Sequence, residues 1–339
     1  MRCMGNANEK KGGDARNHHF VPQFYLKGFA KLRSKDAKLT AFNLTTGKQF
    51  ETRPRNVAAK RDYNRVEIEG VDPNFVETEM AKIEGNLDAA FKRIIDAESI
   101  EDRDDFSWML VLISRLAVTS PAFRNQRDKF MADVAKKMLQ ASLSTEETWA
   151  SAMSGMPDEM KRSPAIPYAK MKEAVDTGAI YPVTSKDALI AQEVKLWADI
   201  MPIIEARKWT LMISDNALGN FATSDRPVSL RWDDESMNGK IYGVGLGMKS
   251  TTLIFPLSRH LAVSGSFEYE NGTVPASPEL VAQVNLRTFM GAEKQIYGPD
   301  DFPMIDKDRA IRPFSETSIW KEIQSGVADC LQSGEHYAG

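Results

Sequence analysis

Two of the chain's four histidines stand side by side in the run Asn17-His18-His19-Phe20-Val21-Pro22-Gln23-Phe24-Tyr25-Leu26. Histidine titrates nearer neutrality than any other side chain, so it moves protons or ligates metals where few other residues can. Adjacent side chains on a strand point to opposite faces, and on a helix they diverge by about 100°. One ring of the pair is therefore expected to face a cleft while the other packs. Pro22 can open a short helix through residue 30, because a proline in the first turn gives up no hydrogen bond. His18 and His19 would then lie just ahead of a helix N-terminus, whose positive end disfavours imidazolium and leaves the neutral ring that a base or ligand requires. The competing expectation is that both rings only pack and cap.

Phe221-Ala-Thr-Ser-Asp-Arg-Pro-Val228 reads as a strand that breaks into a turn and resumes. Asp225 at such a corner could orient a histidine, or Ser224 and Asp225 could bond the local backbone as turn residues do. Glu77 and Glu84 are seven residues apart on a periodic helix, so they share a stripe two turns apart and could bind a divalent ion. Solvated helical carboxylates are the plainer alternative. Arg115 interrupts the apolar run Trp108–Val118, where a cation needs a buried partner or an anionic ligand. Arg53, Arg55, Lys60, Arg61 and Arg65 surround a lone Asp62 and could follow a phosphate backbone, or form a solvated loop. Gln23, Tyr25, Ser224, Arg226 and Arg61 are the polar groups within these patches expected to touch substrate. His260 reads as structural, and His336 lies near the end of the chain.

The elements that must position these residues follow from period. Residues 73–97 place Val76, Met80, Ile83, Leu87, Ala90, Phe91 and Ile94 at helical spacing. Residues 103–142 predict further helices, broken at Ser120-Pro121 because the residue before proline avoids helical geometry. A long helix is predicted over 186–207 and others over 277–290 and 317–331. Strands are predicted at 209–213, 221–223, 228–232, 240–246, 251–257 and 261–264, and a hairpin at 39–51 turning on Thr46-Gly47. Strands follow helices in blocks, which predicts an α+β fold. Its mainly antiparallel sheet is built largely from the C-terminal half, with the helical N-terminal and middle region packed against it. If the early hairpin joins the sheet, it brings the histidines against the C-terminal half. Residues 1–17 read as a flexible tail and 18–339 as a single domain, with the Gly- and Pro-containing stretch 142–180 as a helical insertion or lid.

With 42% hydrophobic and 27% charged residues, the 339-residue chain is globular in composition. A formal net charge of −3 gives no global attraction to nucleic acid, so any such contact needs a local patch. The two cysteines, Cys3 and Cys330, lie near opposite ends without zinc-ligand spacing, which fits a reducing cytoplasm. No apolar run approaches the ~20 residues of a membrane span, so no membrane partner is expected. Gly243-Val-Gly-Leu-Gly247 lacks the spacing of a dinucleotide fingerprint, and neither a phosphate-binding GxxxxGK[ST] loop nor a Gly-x-Ser-x-Gly elbow is present, so no nucleotide cofactor is expected.

Taken together, His18 to Leu26, the Glu77–Glu84 helix, Arg115 through Pro121, Thr223 to Val228 and Phe255 to Ser258 resemble the bacterial domain-of-unknown-function family 4238 over most of residues 17–300. The resemblance groups these positions without assigning them roles, since the family carries no settled activity. Arg226 stands where the usual family form has asparagine, and a cation there would offset Asp225 as a metal ligand. The His-His-x-x-Pro start is also similar to HNH-type nucleases, although that fold needs two strands before its helix. The leading expectation is a cytoplasmic, metal-dependent hydrolase of phosphodiester bonds, nuclease-like and acting on nucleic acid or another phosphate-containing substrate, in bacterial defence or toxin action. In it His18 or His19 is the general base, Asp225 orients it, Glu77 and Glu84 hold Mg, Mn or Zn, and Arg115 stabilises anionic charge. The rival expectation is a non-catalytic ligand- or partner-binding protein in which the same motifs are structural.

Overall fold

The computed structural model describes residues 16–32, 36–156, 166–215, 219–237 and 243–326. The expected tail over 1–17 lies outside these residues up to position 15, and Asn17 is already part of a strand. β1 (Asn17–His19) leads into one turn of helix, α1 (Gln23–Leu26), continued by a 3-10 turn over Lys27–Phe29. β2 (Leu39–Asn43) and β3 (Lys48–Thr52) form the expected hairpin, turning on Gly47 at φ +62. A 3-10 turn at Pro54–Asn56 precedes β4 (Ala59–Arg61), which pairs antiparallel with β1, His18 opposite Lys60 and His19 opposite Ala59. The basic run 53–65 thus contains, at 59–61, the second strand of the ribbon that carries the histidines. Three-residue strands have too few positions to show a period, so the sequence pattern misses both.

α2 (Phe75–Ala97) buries Leu87, Ala90, Phe91 and Ile94, as the spacing predicts. α3 (Arg103–Val118) starts where the Asp102 carboxylate accepts the amides of Asp104 and Asp105, and it buries Leu112, Ile113, Arg115 and Leu116. α4 (Pro121–Ser142) follows after the break at Ser120, then α5 (Glu146–Ser154), α6 (Tyr168–Asp176) and α7 (Lys186–Glu205). Where the sequence predicts one domain over 18–339 with an insertion at 142–180, the chain divides into two compact units. The second unit comprises 121–195, beginning before the expected insertion and ending after it. Inside that unit the buried Arg124 holds Glu193 through two bonds of 2.6 Å, and the Tyr168 hydroxyl donates to the Leu143 carbonyl.

The first unit continues with β5 (Lys208–Ile213), β6 (Thr223–Ser224), β7 (Ser229–Trp232), β8 (Thr251–Pro256), β9 (Leu261–Ser266) and β10 (Gly272–Pro275). It ends with α8 (Pro278–Gly291), β11 (Gln295–Gly298), β12 (Pro303–Ile305), β13 (Ile311–Pro313) and α9 (Ser318–Ser325). Five strands form one sheet in the order β10-β5-β9-β8-β7, in which only the β10–β5 pair is parallel. The hairpin joins C-terminal strands in a second, antiparallel sheet ordered β3-β2-β11-β6. The fold is therefore α+β with mostly antiparallel sheets. Of the strand predicted over 240–246, residues 240–242 lie outside the described chain, and 243–246 form coil and turn instead. α9 stops at Ser325, where Gly326 turns left-handed at φ +72; the rest of the predicted 317–331 helix lies outside the described residues.

Phe42, Phe302, Phe314 and Trp320 make an aromatic core behind the second sheet, with Phe302 and Phe314 stacked at 5.0 Å. Burying each such ring stabilises the fold by about 2–3 kcal/mol, so hairpin and C-terminal helix hold each other in place. Among the described residues no single helix is long and apolar enough to cross a membrane.

Candidate functional site

The β1–β4 ribbon separates the two histidines as strand geometry requires. His18 is 1% exposed, and its Nδ1 accepts the backbone amide of Asn64 at 2.9 Å. That bond fills the Nδ1 lone pair, so the neutral ring carries its proton on Nε2. Glu77 Oε1 lies 3.4 Å from the same Nδ1 and accepts a bond of 3.2 Å from the Asn64 side chain. Asn64 thus holds both His18 and Glu77. His18, expected with His19 as a candidate general base, is in consequence a packed and hydrogen-bonded ring whose Nδ1 can take no proton while the Asn64 amide occupies it.

His19 is only partly buried. Its Nε2 donates to the Arg55 carbonyl at 3.3 Å, and its Nδ1 lies 3.5 Å from the Gln23 side-chain nitrogen. Both contacts are long, and the second leaves the Nδ1 lone pair weakly engaged. Burial pushes the His19 imidazole below its usual range, opposed by the Arg55 bond and then by the Glu77 charge, while His18 adds to the lowering. The lowering at His19 has a different cause from the helix field expected from sequence. α1 has only four residues, and desolvation dominates instead of a helix field.

From Glu77 the polar groups continue along α2 to Glu84. Burial pushes the Glu84 carboxyl up, against the pull of Arg115, and the charge of Glu77 adds to the rise. The two carboxylates therefore sense each other across one stripe. Arg115 projects from α3 and is 4% exposed. Its Nη1 donates to Glu84 Oε1 at 3.4 Å, and among the described residues its other donors meet no acceptor. None of the Arg115 nitrogens is a fully buried atom without a partner, so its unbonded donors reach the surface, where a planar guanidinium can take an anion.

The second motif lies elsewhere and is built into the fold. Tyr25 is 1% exposed; its hydroxyl donates to the Pro256 carbonyl at 2.8 Å and pairs with the Thr223 hydroxyl at 2.7 Å. Its ring stacks on Phe255 at 5.2 Å. Ser224 is fully buried, and its hydroxyl accepts the Arg226 amide, a local turn bond. Neither Tyr25 nor Ser224 can touch a substrate as expected, because both face the interior. Asp225 accepts the amides of Glu293, Lys294 and Gln295 at 2.8, 2.7 and 3.1 Å, so it clamps the chain between α8 and β11 and bonds no histidine. Burial pushes its carboxyl up to about 6, against those three amides. The expected orienting role of Asp225 is replaced by this structural one.

The two regions meet through Tyr297. Burial, and next the Asp225 charge, push its hydroxyl well up, with the Ala58 backbone opposing the rise, and the hydroxyl donates to the Gln295 side-chain oxygen at 2.8 Å. Ala58 sits at φ +51, and its carbonyl accepts the amides of Phe20 and Val21 directly after the histidines. A left-handed alanine costs about 1 kcal/mol, which these bonds offset.

Of the residues expected to act together, His18, His19, Gln23, Glu77, Glu84 and Arg115 form one connected polar cluster. Tyr25, Ser224 and Asp225 do not belong to it. Arg226 is partly buried and Arg61 is exposed on β4. Among the described residues no three His, Cys, Asp or Glu side chains converge as a metal site; Glu77 and Glu84 are two carboxylates, each with an N–H partner. Asn64 and Tyr297 escaped the sequence reading because nothing in their local patterns distinguishes them from packing residues. A family model described as "Protein of unknown function (DUF4238)" matches residues 17–302. No curated protein and no solved structure matches the chain.

Proposed function

The chain belongs to the DUF4238 family, and from its histidine cluster we propose that it is a hydrolase of phosphodiester bonds. The observation that carries this reading is Arg115, nearly buried and donating to Glu84 at 3.4 Å, in one chain of interacting charges that runs through Glu84 and Glu77 to the partly buried His19 ring. Arg115 would take the non-bridging oxygens of a bound phosphate through its spare donors, the interaction for which a planar guanidinium is best shaped. His19, neutral near pH 7, would accept a proton from water through Nδ1 as the water oxygen bonds phosphorus and the ester oxygen leaves with its electron pair. The Glu77 charge, which favours the protonated ring, would stabilise the imidazolium formed. Glu77 and Glu84 repel each other, so a divalent cation such as Mg, Mn or Zn placed between them would relieve that repulsion and polarise the phosphate.

A second reading, a non-catalytic binder of anions, draws on Arg115 too and on how much of the motif is used in packing. One set of measurements separates them. Hydrolysis of bis(p-nitrophenyl) phosphate and of oligonucleotides is followed with each metal and with chelator. His19→Ala is expected to lower turnover about 10²-fold or more with an unchanged melting temperature. Arg115→Met is expected to lower it about 10²-fold through lost charge stabilisation. No turnover, with phosphate binding that Arg115→Met removes, favours the binder; neither turnover nor binding ends both readings.

A further inference from the structure

The ribbon that carries His19 also carries exposed cations. Directly paired residues on an antiparallel ribbon point to the same side. Asn17 with Arg61 and His19 with Ala59 therefore share one face, and His18 with Lys60 the other. Arg61 lies on the His19 face, two positions along β4 from the His19 partner and roughly 7 Å away at the rise of a strand. On its other side the His19 ring bonds the carbonyl of Arg55, an exposed residue. Asp62 is the only carboxylate among residues 53–65, and it is engaged. Arg16 holds it through two bonds of 2.9 and 2.6 Å and pulls its carboxyl down, with Arg61 a further 3.6 Å away.

Among the described residues neither Arg55 nor Lys60 meets a carboxylate at ion-pair distance; the Lys60 ammonium lies 6.0 Å from the centre of the Tyr63 ring. A chain with a net charge of −3 thus gathers surplus positive charge at the point where its partly exposed histidine reaches the surface. Adjacent like charges repel, and a polyanion laid over them removes that cost.

We infer that the His19 face of the β1–β4 ribbon is a binding surface for single-stranded nucleic acid, with Arg55 and Arg61 holding phosphates on either side of one phosphodiester lying over His19. This deepens the hydrolase reading, from which the position of the scissile phosphate is taken. A duplex presents its two phosphate strands across a groove about 12 Å wide, whereas the two strands of the ribbon are only about 4.8 Å apart. The ribbon matches one backbone.

The test uses the full chain with His19→Ala, so that bound strands are not consumed, and fluorescently labelled 20-nucleotide DNA and RNA, single-stranded and duplex. Anisotropy is read against salt. Single strands are expected to bind with a log–log salt slope near −1.4, from two phosphate contacts at about −0.7 each. Replacing Arg55 and Arg61 together by glutamine is expected to lower affinity severalfold at low salt and to flatten the slope, whereas Lys60→Gln, on the opposite face, should change neither. These side chains are exposed, so melting should not change; if the double variant melts early, Arg55→Gln alone must still lower the slope. No binding at about 50 mM salt, or binding that the Arg55 and Arg61 variants leave unaltered, overturns the inference, and tighter binding of duplex overturns the single-strand assignment. Strand binding by a wild-type protein that never cleaves would sink the hydrolase reading alone. Hydrolysis of bis(p-nitrophenyl) phosphate without any strand binding would sink this inference alone.

Discussion

Asp225→Asn separates a structural carboxylate from a catalytic one. The carboxylate is 6% exposed and its oxygens accept three backbone amides, two of them on one oxygen. Asparagine keeps one acceptor oxygen and turns two N–H donors toward the remaining amide or amides. In its better orientation one amide is orphaned, at a cost of about 1–3 kcal/mol. The carboxyl is raised from an ordinary 3.8 to about 6, with burial as the largest cause. A group raised in the fold binds its proton more tightly there than in the unfolded chain. Its contribution is therefore fully present below pH 3.8 and lost as pH rises through about 6. A shift of about two units corresponds to about 3 kcal/mol. Asparagine does not titrate, so the stability of wild type relative to Asp225→Asn should fall by up to about 3 kcal/mol between pH 4 and pH 7, other titrations cancelling in the difference. Urea denaturation at each pH measures it, and hydrogen exchange at residues 293–295 locates it. A wild type that gains on the variant as pH rises would show that the three amides outweigh burial, and would refute the reasoning. Loss of turnover in Asp225→Asn with stability and exchange unchanged would return Asp225 to the active site.

Glu77→Gln removes a charge that raises the His19 imidazole, so the His19 pKa measured by NMR titration should fall below its wild-type value, and the acidic limb of any rate profile should move to lower pH. An unchanged or higher pKa would break the electrostatic link between the two. Tyr25→Phe deletes the donor to the Pro256 carbonyl and should cost about 1–3 kcal/mol in denaturant midpoint while leaving turnover intact; a loss of turnover without loss of stability would contradict the buried role. Gly47→Ala places a Cβ 2.5 Å from Gln324 Cα at φ +62, and should cost about 2 kcal/mol or more, seen as an earlier melting transition.

The histidine motif itself is better explained by packing than by chemistry at most of its positions. Val21 is buried, Phe24 meets Phe91 edge-on, and Tyr25 ties α1 to β6 and β8. Of its polar side chains between His18 and Leu26, His19 and Gln23 are partly exposed. That division explains why a dense run of chemically capable residue types leaves few side chains free for chemistry once the chain is folded.

Helical period along 73–97, the break at Ser120-Pro121, the hairpin at Gly47 and the change to short β-branched segments after residue 207 were all legible by themselves, because each is a local pattern set by backbone geometry. So was the conflict of a cation in the apolar α3, since Arg115 violates burial wherever that helix packs. Partnership was not legible. That Asp225 turns to the amides of 293–295, that Asn64 takes the His18 lone pair, and that β4 lies against β1 depend on segments brought together from tens of residues apart or more, by the joining of the hairpin to β11 and the packing of α2 on α3. A side chain's type limits the bonds it can make, and only the folded neighbours decide which of them it does make.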